Sequence, residues 1–502
     1  MGVIVGIDLG TTFSAIAKLD DTGRPEIIAD TDASSGSRLV PSVVEFTSPS
    51  SYVVGAGAKS QIGINDEYIA SEVKRHMGTD KKYDFYGQTH TPTSISGLIL
   101  KKLKENVEKT YGSIDSVVVT VPANFLELAR EETQKAANMA GLNADYIIDE
   151  PTAAAFAYAF QSGKDLNGTF VIYDLGGGTF DCSIAQISGQ DIKILTSEGV
   201  QKLGGKDFDK QITKLVSKKY KEITGDEIPP LEFTSNDAEN IKIQLSSRDK
   251  ASAKIRGEIM PITRDEFEDE ISNLVLQAEL AVETALSRTD LDASSITDVI
   301  LVGGSTRIPM IQNSIKDIFG KEAKLFGNPD ESVALGASIY AAYKSDKSKL
   351  NPLQRKAMSN VSISMAAPFY YGTIITVADT GEQINKVIIP KDERIPCSIS
   401  DDFFTLIDNQ VGLSCIITAA GAEETDPEFV EIVYKGLLEL PGGRPEGQPL
   451  KYTYSFTENG TMMASFLDVK SGNILEKTID SIFETSDDNS DDVIDIEDMN
   501  SE

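Results

Sequence analysis

Histidine and cysteine are scarce in this sequence. Only two histidines, His76 and His90, occur among 502 residues, so neither a histidine-based metal site nor a Ser-His-Asp triad is expected, and both are interpreted as surface or packing residues. The three cysteines, Cys182, Cys397 and Cys415, are isolated and odd in number. This usage fits a reducing compartment and matches no zinc-binding spacing.

Positive charge and long apolar runs are also lacking. The formal net charge is −31 at pH 7, which argues against a nucleic-acid partner because no basic surplus is available to neutralise phosphates. No apolar run approaches membrane-spanning length, and residues 3–7 enter a strand without a basic or apolar leader. We therefore expect a cytoplasmic protein with no membrane partner. A length of 502 residues predicts two or three domains.

Glycine is concentrated in one stretch, which runs from Tyr173 to Asp181 as Y-D-L-G-G-G-T-F-D. Three glycines after a β-branched strand allow a tight turn and bring backbone N–H groups close to an anion. Asp174 and Asp181 flank the glycines and would repel a phosphate unless a cation lies between them. Taken alone, the stretch would favour a plain Gly-rich turn between two strands.

A similar pattern occurs near the amino terminus. Residues 5–15, V-G-I-D-L-G-T-T-F-S-A, share an apolar residue, then Asp-Leu-Gly, then Gly or Thr, and then Thr-Phe. Two copies of an Asp-x-Gly phosphate hairpin predict two related lobes that close on one nucleotide.

These hairpins resemble the two phosphate loops of the actin/hexokinase/heat-shock ATPase superfamily. More narrowly, residues 1–345 resemble the nucleotide-binding domain of the DnaK-type heat-shock protein 70 chaperones. The supporting strings all occur in the family's order, which makes them more specific together than any single glycine motif. Besides the glycine stretch they are G-I-D-L-G-T-T from Gly6, P-S-V-V from Pro41, V-T-V-P-A from Val119, E-P-T-A-A-A from Glu150, L-G-G-K-D-F-D from Leu203, V-G-G-S-T-R from Val302 and N-P-D-E from Asn328.

The predicted organisation has four parts. Residues 1–345 form an actin-like ATPase domain of two related lobes with α/β architecture, in which 66–77 is predicted to be a helix. Residues 346–365 are a polar linker. Short alternating strands over 366–483 predict an all-β sandwich, similar to the family's peptide-binding domain. Residues 484–502 are acidic without Lys or Arg, which predicts disorder, and we expect no helical lid.

The resemblance implies a site that hydrolyses ATP to ADP with Mg²⁺, and K⁺ is a candidate second cation. Lys74 matches the family's catalytic lysine, although without the family it would be interpreted as a solvated helix charge. Glu150 and Asp174 match acids that orient metal-bound water and the nucleophile, and Asp8 and Asp181 would hold the metal through water. The implied metal set is Asp8, Asp174 and Asp181. The other implied residues are Gly10, Thr11, Thr12, Gly176, Gly177, Gly178 and the catalytic Thr179 around the phosphates, and Gly204, Gly205, Glu239, Lys242, Ser246, Gly303, Gly304, Ser305 and Arg307 around the adenosine.

A peptide groove in the sandwich would need an exposed strand edge and apolar pockets. Residues 370–376 and 403–407 are the candidates, and the second range begins a predicted strand at 403–408. The alternation of these residues is equally compatible with side chains that belong to the sandwich core.

Two functions of different classes remain open. The first is an ATP-dependent chaperone of the DnaK type that binds unfolded or extended polypeptide, with a J-domain co-chaperone and a nucleotide-exchange factor as the family's partners. The second is a nucleotide-regulated scaffold that binds one specific partner through its sandwich. A filament-forming role is disfavoured by the chaperone-specific strings and the sandwich. We favour the chaperone.

Overall fold

The computed structural model divides into two compact units. The first comprises residues 1–192, 196–362 and 490–502, and the second comprises residues 193–195 and 363–489. The predicted linker, 346–365, therefore crosses the division. The residues that the structure describes are 2–32, 36–125, 127–144, 146–162, 166–189, 191–289, 291–324, 327–359, 362–363, 365–367, 369–378, 380–391, 393–457, 461–479 and 500–501.

Strands and helices alternate up to residue 358, as expected for α/β architecture. The strands are β1 (Val3–Asp8), β2 (Phe13–Leu19), β3 (Pro25–Ile27), β4 (Val40–Pro41), β5 (Val43–Ser48), β6 (Ser51–Val54), β7 (Ile69–Ser71), β8 (Tyr83–Phe85), β9 (Gln88–His90), β10 (Ile114–Val121), β11 (Tyr146–Asp149), β12 (Asn167–Leu175), β13 (Phe180–Ser188), β14 (Asp191–Val200), β15 (Lys250–Ile255), β16 (Glu258–Thr263) and β17 (Asp298–Val302). The helices are α1 (Ala56–Ser60), α2 (Pro92–Tyr111), α3 (Glu127–Met139), α4 (Glu150–Ser162), α5 (Gly205–Thr224), α6 (Ser235–Ser247), α7 (Arg264–Arg288), α8 (Pro309–Phe319), α9 (Ser332–Lys344) and α10 (Pro352–Met358).

The first unit contains two sheets built on the same local plan. In the first lobe the order is β11-β10-β1-β2-β3, where β1 and β2 form an antiparallel hairpin and β10 lies parallel to β1. In the second lobe β12 and β13 form the hairpin and β17 lies parallel to β12. The prediction of two related lobes, each carrying one hairpin, is confirmed.

Two helices rich in small residues lie close together beside these sheets. Helix α4 packs on α9, and α9 packs on β1. The contact is so close that a Cβ at Gly336 would overlap the carbonyl oxygen of Ala153, and a Cβ at Gly6 would overlap the backbone of Ala337 and Ser338. Glycine and alanine therefore set the spacing at which α4, α9 and β1 can pack.

The prediction of one helix over 66–77 is wrong. The segment contains two 3₁₀ turns, Asp66–Tyr68 and Val73–His76, on either side of β7. Strand β7 pairs with β5 through Ala70 and Val44, and Glu72 adopts φ 57°, in the left-handed region. Sheet pairing therefore overrides the helical spacing of the sequence.

The second unit forms the predicted β-sandwich. One sheet has the order β21-β20-β24-β25, and the other has the order β23-β26-β27-β28. Tyr371, Cys415 and Tyr454 are among the side chains buried between them. The strands from residue 362 onward are β18 (Ser362–Ile363), β19 (Met365–Ala366), β20 (Tyr370–Thr376), β21 (Gln383–Ile389), β22 (Arg394–Ile395), β23 (Cys397–Phe404), β24 (Gly412–Ala420), β25 (Glu431–Glu439), β26 (Pro449–Phe456), β27 (Met462–Asp468) and β28 (Ile474–Ile479).

The predicted strand at 403–408 is misplaced. Strand β23 ends at Phe404, and residues 405–411 form a loop before β24. The loop is held by backbone bonds such as Thr405 N to the Gln448 carbonyl oxygen, at 3.0 Å. Apolar residues at 406 and 407 therefore lie in a loop and not in a continued strand.

The acidic segment 484–502 lies largely outside the described residues. Its described part is β29 (Asn500–Ser501), which lies parallel to β6 in a sheet of order β29-β6-β5-β7. Within the described part of the chain, none of the helices has the length and apolar character needed to cross a membrane.

Candidate active site

The tips of the two hairpins meet. The turn between β1 and β2 carries Thr11 and Thr12, and the turn between β12 and β13 carries Gly177 and Gly178. A Cβ at Gly177 would overlap Thr12 Oγ1, and a Cβ at Gly178 would lie 2.5 Å from Thr11 Cγ2. The glycines are needed for this approach. The Oγ1 atom of Thr12 is buried and has no hydrogen-bond partner in the described residues, so it is free to contact a ligand.

A cleft opens where the hairpins meet. It brings together more than half of the predicted site residues, from both lobes, along with others that were not predicted to belong to the site. The lining residues are Asp8, Gly10, Thr11, Thr12, Phe13, Lys74, Glu150, Asp174, Gly176, Gly177, Thr179, Val302, Gly303, Gly304, Pro329, Asp330 and Val333.

Lys74 is a buried cation in this cleft. It lies in the second 3₁₀ turn and is 7% exposed, so it is not a solvated surface charge. Its ammonium group forms an ion pair with Glu150, which begins α4 and is also 7% exposed. A buried lysine requires such a partner because the desolvated charge is otherwise costly.

Three aspartates surround the pair at the strand ends. Asp8 ends β1, Asp174 lies on β12 and Asp181 lies on β13. Burial, and then the charge of Glu150, raises the pKa of Asp8 to about 7 and holds the pKa values of Asp174 and Asp181 well above the usual range of a carboxyl.

Burial and the neighbouring charges also shift the pKa of Lys74. Burial lowers the pKa of Lys74, but the nearby carboxylates of Glu150 and Asp8 outweigh burial and raise it. The site thus combines one firmly charged lysine with a surplus of buried carboxylates. That surplus favours the binding of a cation.

The residues fit a cation held through water. One carboxylate oxygen of Asp181, Oδ1, is buried without a hydrogen-bond partner in the described residues, so it can accept a bond from a ligand. Among those residues no group of three His, Cys, Asp or Glu side chains is placed to hold a metal directly. Mg²⁺ commonly retains several of its waters, which agrees with this arrangement.

Residues around 204 and 305 support the second hairpin from behind. The Gly205 N–H and the Ser305 hydroxyl both donate to the Gly176 carbonyl oxygen, at 3.0 and 2.8 Å. A Cβ at Gly204 would lie 2.5 Å from Gly178 N. Gly303 has φ 79°, a backbone conformation that favours glycine. These residues hold the hairpin tip in place.

The side chains implied for adenosine have other partners in this structure. Lys242 donates to the Gly205 carbonyl oxygen at 3.0 Å and pairs with Asp209 at 2.7 Å. Arg307 pairs with Asp330 at 2.9 Å. The hydroxyl of Ser246 donates within its own helix, α6, to the Lys242 carbonyl oxygen.

Glu239 joins the two lobes. It lies on α6 of the second lobe and pairs with Lys59, on α1 of the first lobe, at 2.6 Å. The Lys59 ammonium also lies 4.7 Å from the centre of the Phe13 ring, at cation–π distance. The sequence did not indicate Lys59, because nothing in its local pattern distinguishes it from a solvated lysine.

Arg75 is a second residue that the sequence did not indicate. Its Nη2 atom donates to the Gly178 carbonyl oxygen at 2.8 Å and pairs with Asp207 of α5 at 2.6 Å. Arg75 follows Lys74 in the first lobe, whereas both partners belong to the second. The only signal in the sequence was its position next to Lys74.

The two candidate ranges in the sandwich differ in exposure. Tyr371 and Thr373 of the first range are buried in the core. In the second range Phe403 packs against Tyr452, with ring centres 4.5 Å apart, whereas Ile407 is 62% exposed. The interpretation as core packing therefore holds for residues 371–373 of the first range, and the loop 405–411 presents apolar side chains to solvent.

Comparisons with known proteins agree with one another. A family model described as "Hsp70 protein" matches residues 4–501. The chain is 35% identical over 489 residues to the chaperone protein DnaK of Thermotoga neapolitana, which covers 93% of this chain and 79% of that protein. DnaK of Thermosipho melanesiensis is 35% identical over 488 residues, covering 93% of this chain and 78% of that protein.

Proposed function

The chain belongs to the Hsp70 family, and on this basis we propose that it is an ATP-dependent chaperone that hydrolyses ATP to ADP and binds unfolded polypeptide. The observation that carries the proposal is the buried Lys74–Glu150 ion pair between two glycine hairpins. Phosphoryl transfer to water needs fixed positive charge, a cation and an oriented nucleophile. A buried lysine among carboxylates, in the cleft where the hairpins meet, supplies the fixed positive charge and favours binding of the cation.

The phosphates would contact both hairpins. Gly10, Thr11 and Thr12 of the first hairpin, with Gly177 and its neighbours of the second, line the cleft, and unbonded N–H groups and hydroxyls of these residues would contact the phosphates. The Thr12 hydroxyl, which has no partner among the described residues, would donate to a phosphate oxygen. The glycines would let the phosphates approach the backbone closely.

The carboxylates would share two tasks. Asp8, Asp174 and Asp181 would hold Mg²⁺ through its waters, and the ion would neutralise charge on the phosphates. Glu150 would fix the position of the Lys74 ammonium, which would then contact the γ-phosphate and the attacking water. Asp174 and Thr179, both at the cleft, would orient that water.

The site assignment is tested by the steady-state rate of phosphate release. We expect Lys74→Ala to lower turnover by about 100-fold or more, the cost of removing one charge-stabilising donor. ATP binding, measured by calorimetry, should persist because the hairpins remain. Lys102→Ala is the matched control, since Lys102 is also 7% exposed and ion-paired, with Asp30 and Asp32, but does not line the cleft. Equal turnover in the two variants would contradict the catalytic role proposed for Lys74.

The sandwich would bind the polypeptide. The exposed apolar side chains of the loop 405–411 would contact an extended segment whose backbone pairs with a strand edge. A J-domain co-chaperone and a nucleotide-exchange factor are the partners we propose from the family. The comparisons do not favour the alternative of a nucleotide-regulated scaffold.

A further inference from the structure

The outer edge of β6 carries a second strand interaction, unrelated to the nucleotide cleft. Strand β6 has β5 on one side, paired antiparallel. On its other side lies β29, where Asn500 is in register with Ser51 and Ser501 with Tyr52. This pairing is parallel and joins residues far apart in the sequence. An edge strand exposes backbone donors and acceptors that can pair with any extended segment.

The segment 484–502, which contains β29, is acidic. Residues 484–502 contain many Asp and Glu residues and no Lys or Arg. Helix α2, which packs against β6, carries Lys101, Lys104 and Lys109 outside the core and two acidic residues, Glu105 and Glu108. This small local excess of positive charge favours an acidic segment near β6.

We propose that the β6 edge is a docking site for an extended acidic segment, and that Asn500–Ser501 of the segment 484–502 occupy it as a displaceable intramolecular tether. Two paired residues form few hydrogen bonds, each of which contributes little net stability in water. The tether should therefore open and close readily. While it is closed, it covers an edge that could otherwise pair with another chain.

Amide hydrogen exchange over residues 48–55 tests the tether. In the full chain we expect the amides of Ser51 and Tyr52, which lie opposite β29, to exchange about tenfold more slowly than in a variant that lacks residues 490–502. Exchange in the β12–β13 hairpin should be the same in both chains and serves as the internal control. Equal exchange of β6 in the two chains would overturn the proposal.

Two further measurements separate strand pairing from a general effect of the acidic segment. Asn500→Pro removes a backbone donor and fixes φ while leaving the charge of the segment unchanged, so β6 should lose its protection as in the shortened chain. A synthetic peptide of residues 484–502, added to the shortened chain, should restore it. Retained protection in Asn500→Pro, or no effect of the peptide at saturating concentration, would contradict docking by strand pairing.

Discussion

Arg75 connects the first lobe to the glycine hairpin of the second lobe, β12–β13. Its guanidinium donates to the Gly178 carbonyl oxygen and pairs with Asp207, and hydrogen bonds to charged groups contribute about 1.5–3 kcal/mol each. We expect Arg75→Met, which keeps much of the apolar stem, to raise the KM for ATP by about tenfold, equivalent to ~1.4 kcal/mol. Release of bound ADP, followed with a fluorescent analogue, should accelerate to a similar degree.

The control for this prediction is another arginine that donates a hydrogen bond to a backbone carbonyl and forms an ion pair with a carboxylate. Arg264 donates to the Leu245 carbonyl oxygen at 2.9 Å and pairs with Asp249 at 2.9 Å, and it does not line the cleft. Arg264→Met should leave the KM for ATP unchanged. If both variants raised the KM equally, the effect would reflect general loosening and not the Gly178 contact.

His90 gives the first lobe a pH-dependent stability. It is 1% exposed, its ring centre lies 4.3 Å from that of Phe46, and neither ring nitrogen has a hydrogen-bond partner in the described residues. Burial lowers its pKa from 6.5 to about 4, and the charge of Asp84 opposes this only in part. Because burial favours the neutral imidazole, protonation of His90 favours the unfolded state. The contribution of His90 to the free energy of unfolding is therefore complete above pH 6.5 and is lost as the pH falls from 6.5 towards 4.

The expected loss can be measured by urea unfolding. The full shift corresponds to ~3 kcal/mol at 1.36 kcal/mol per pKa unit, and screening by solvent reduces the expected loss to about 2 kcal/mol between pH 7 and pH 4. His90→Leu should remove this component of the pH dependence, since leucine does not titrate. The same acid sensitivity in wild type and His90→Leu would show that other groups are responsible.

The sequence predicted single residues of the site only where a family string contained them or stood close by. Lys74, Glu150 and the three aspartates were predicted in this way, and the structure brings Lys74, Glu150, Asp8 and Asp174 to one cleft. Arg75 and Lys59 act across the lobes through side-chain directions that follow from tertiary packing. The spacing of residues in the sequence does not show which neighbouring element these two side chains reach.

The packing of α4 on α9 makes a prediction at the level of whole elements. A Cβ at Gly336 would overlap the backbone carbonyl of Ala153, and neither helix can withdraw because α9 also packs on β1. We expect Gly336→Ala to destabilise the first unit by about 3 kcal/mol, the upper part of the range for overpacking. Differential scanning calorimetry should show the transition of that unit at a lower temperature.

The control is a glycine that can accept a side chain. A Cβ added at Gly421 would face open space, with no contacting atom within 4 Å, so Gly421→Ala should leave both transitions within about a degree or two of wild type, as expected for open surface sites. A Gly336→Ala chain with an unchanged melting profile would mean that α4 and α9 can separate freely.

Elements were predictable where local pattern and tertiary pairing agree. For the two glycine hairpins, the local sequence pattern and the tertiary pairing agree. Both β1–β2 and β12–β13 lie where the sequence predicted hairpins. The segment 66–77 has helical spacing, but its residues 69–71 pair with β5 and form a strand. Strand β23 ends at Phe404 and residues 405–411 form a loop before β24, an end that the alternation of apolar residues does not reveal.

The whole molecule combines an actin-like unit of two lobes with a β-sandwich, and the coupling of the proposed ATPase activity to peptide binding is the property to test. If the sandwich binds polypeptide, a saturating extended apolar peptide should raise the steady-state ATPase rate of the full chain severalfold, since a ligand shifts turnover only when it binds one state more tightly. A peptide of the same length with alternating Asp and Gly is the control. Equal rates with both peptides would remove the support for a peptide-responsive chaperone.

The loop 405–411 provides the sharpest test of where the peptide binds. Ile407 is 62% exposed on this loop, and Leu437 is 66% exposed on β25 of the same unit, so each can become aspartate at a similar, small cost in stability. We expect Ile407→Asp to abolish stimulation by peptide while basal turnover stays constant, because a charge in the contact must be desolvated when the apolar peptide binds. Leu437→Asp should respond to peptide as wild type does. The reverse result would move the peptide site from the loop to the edge strand.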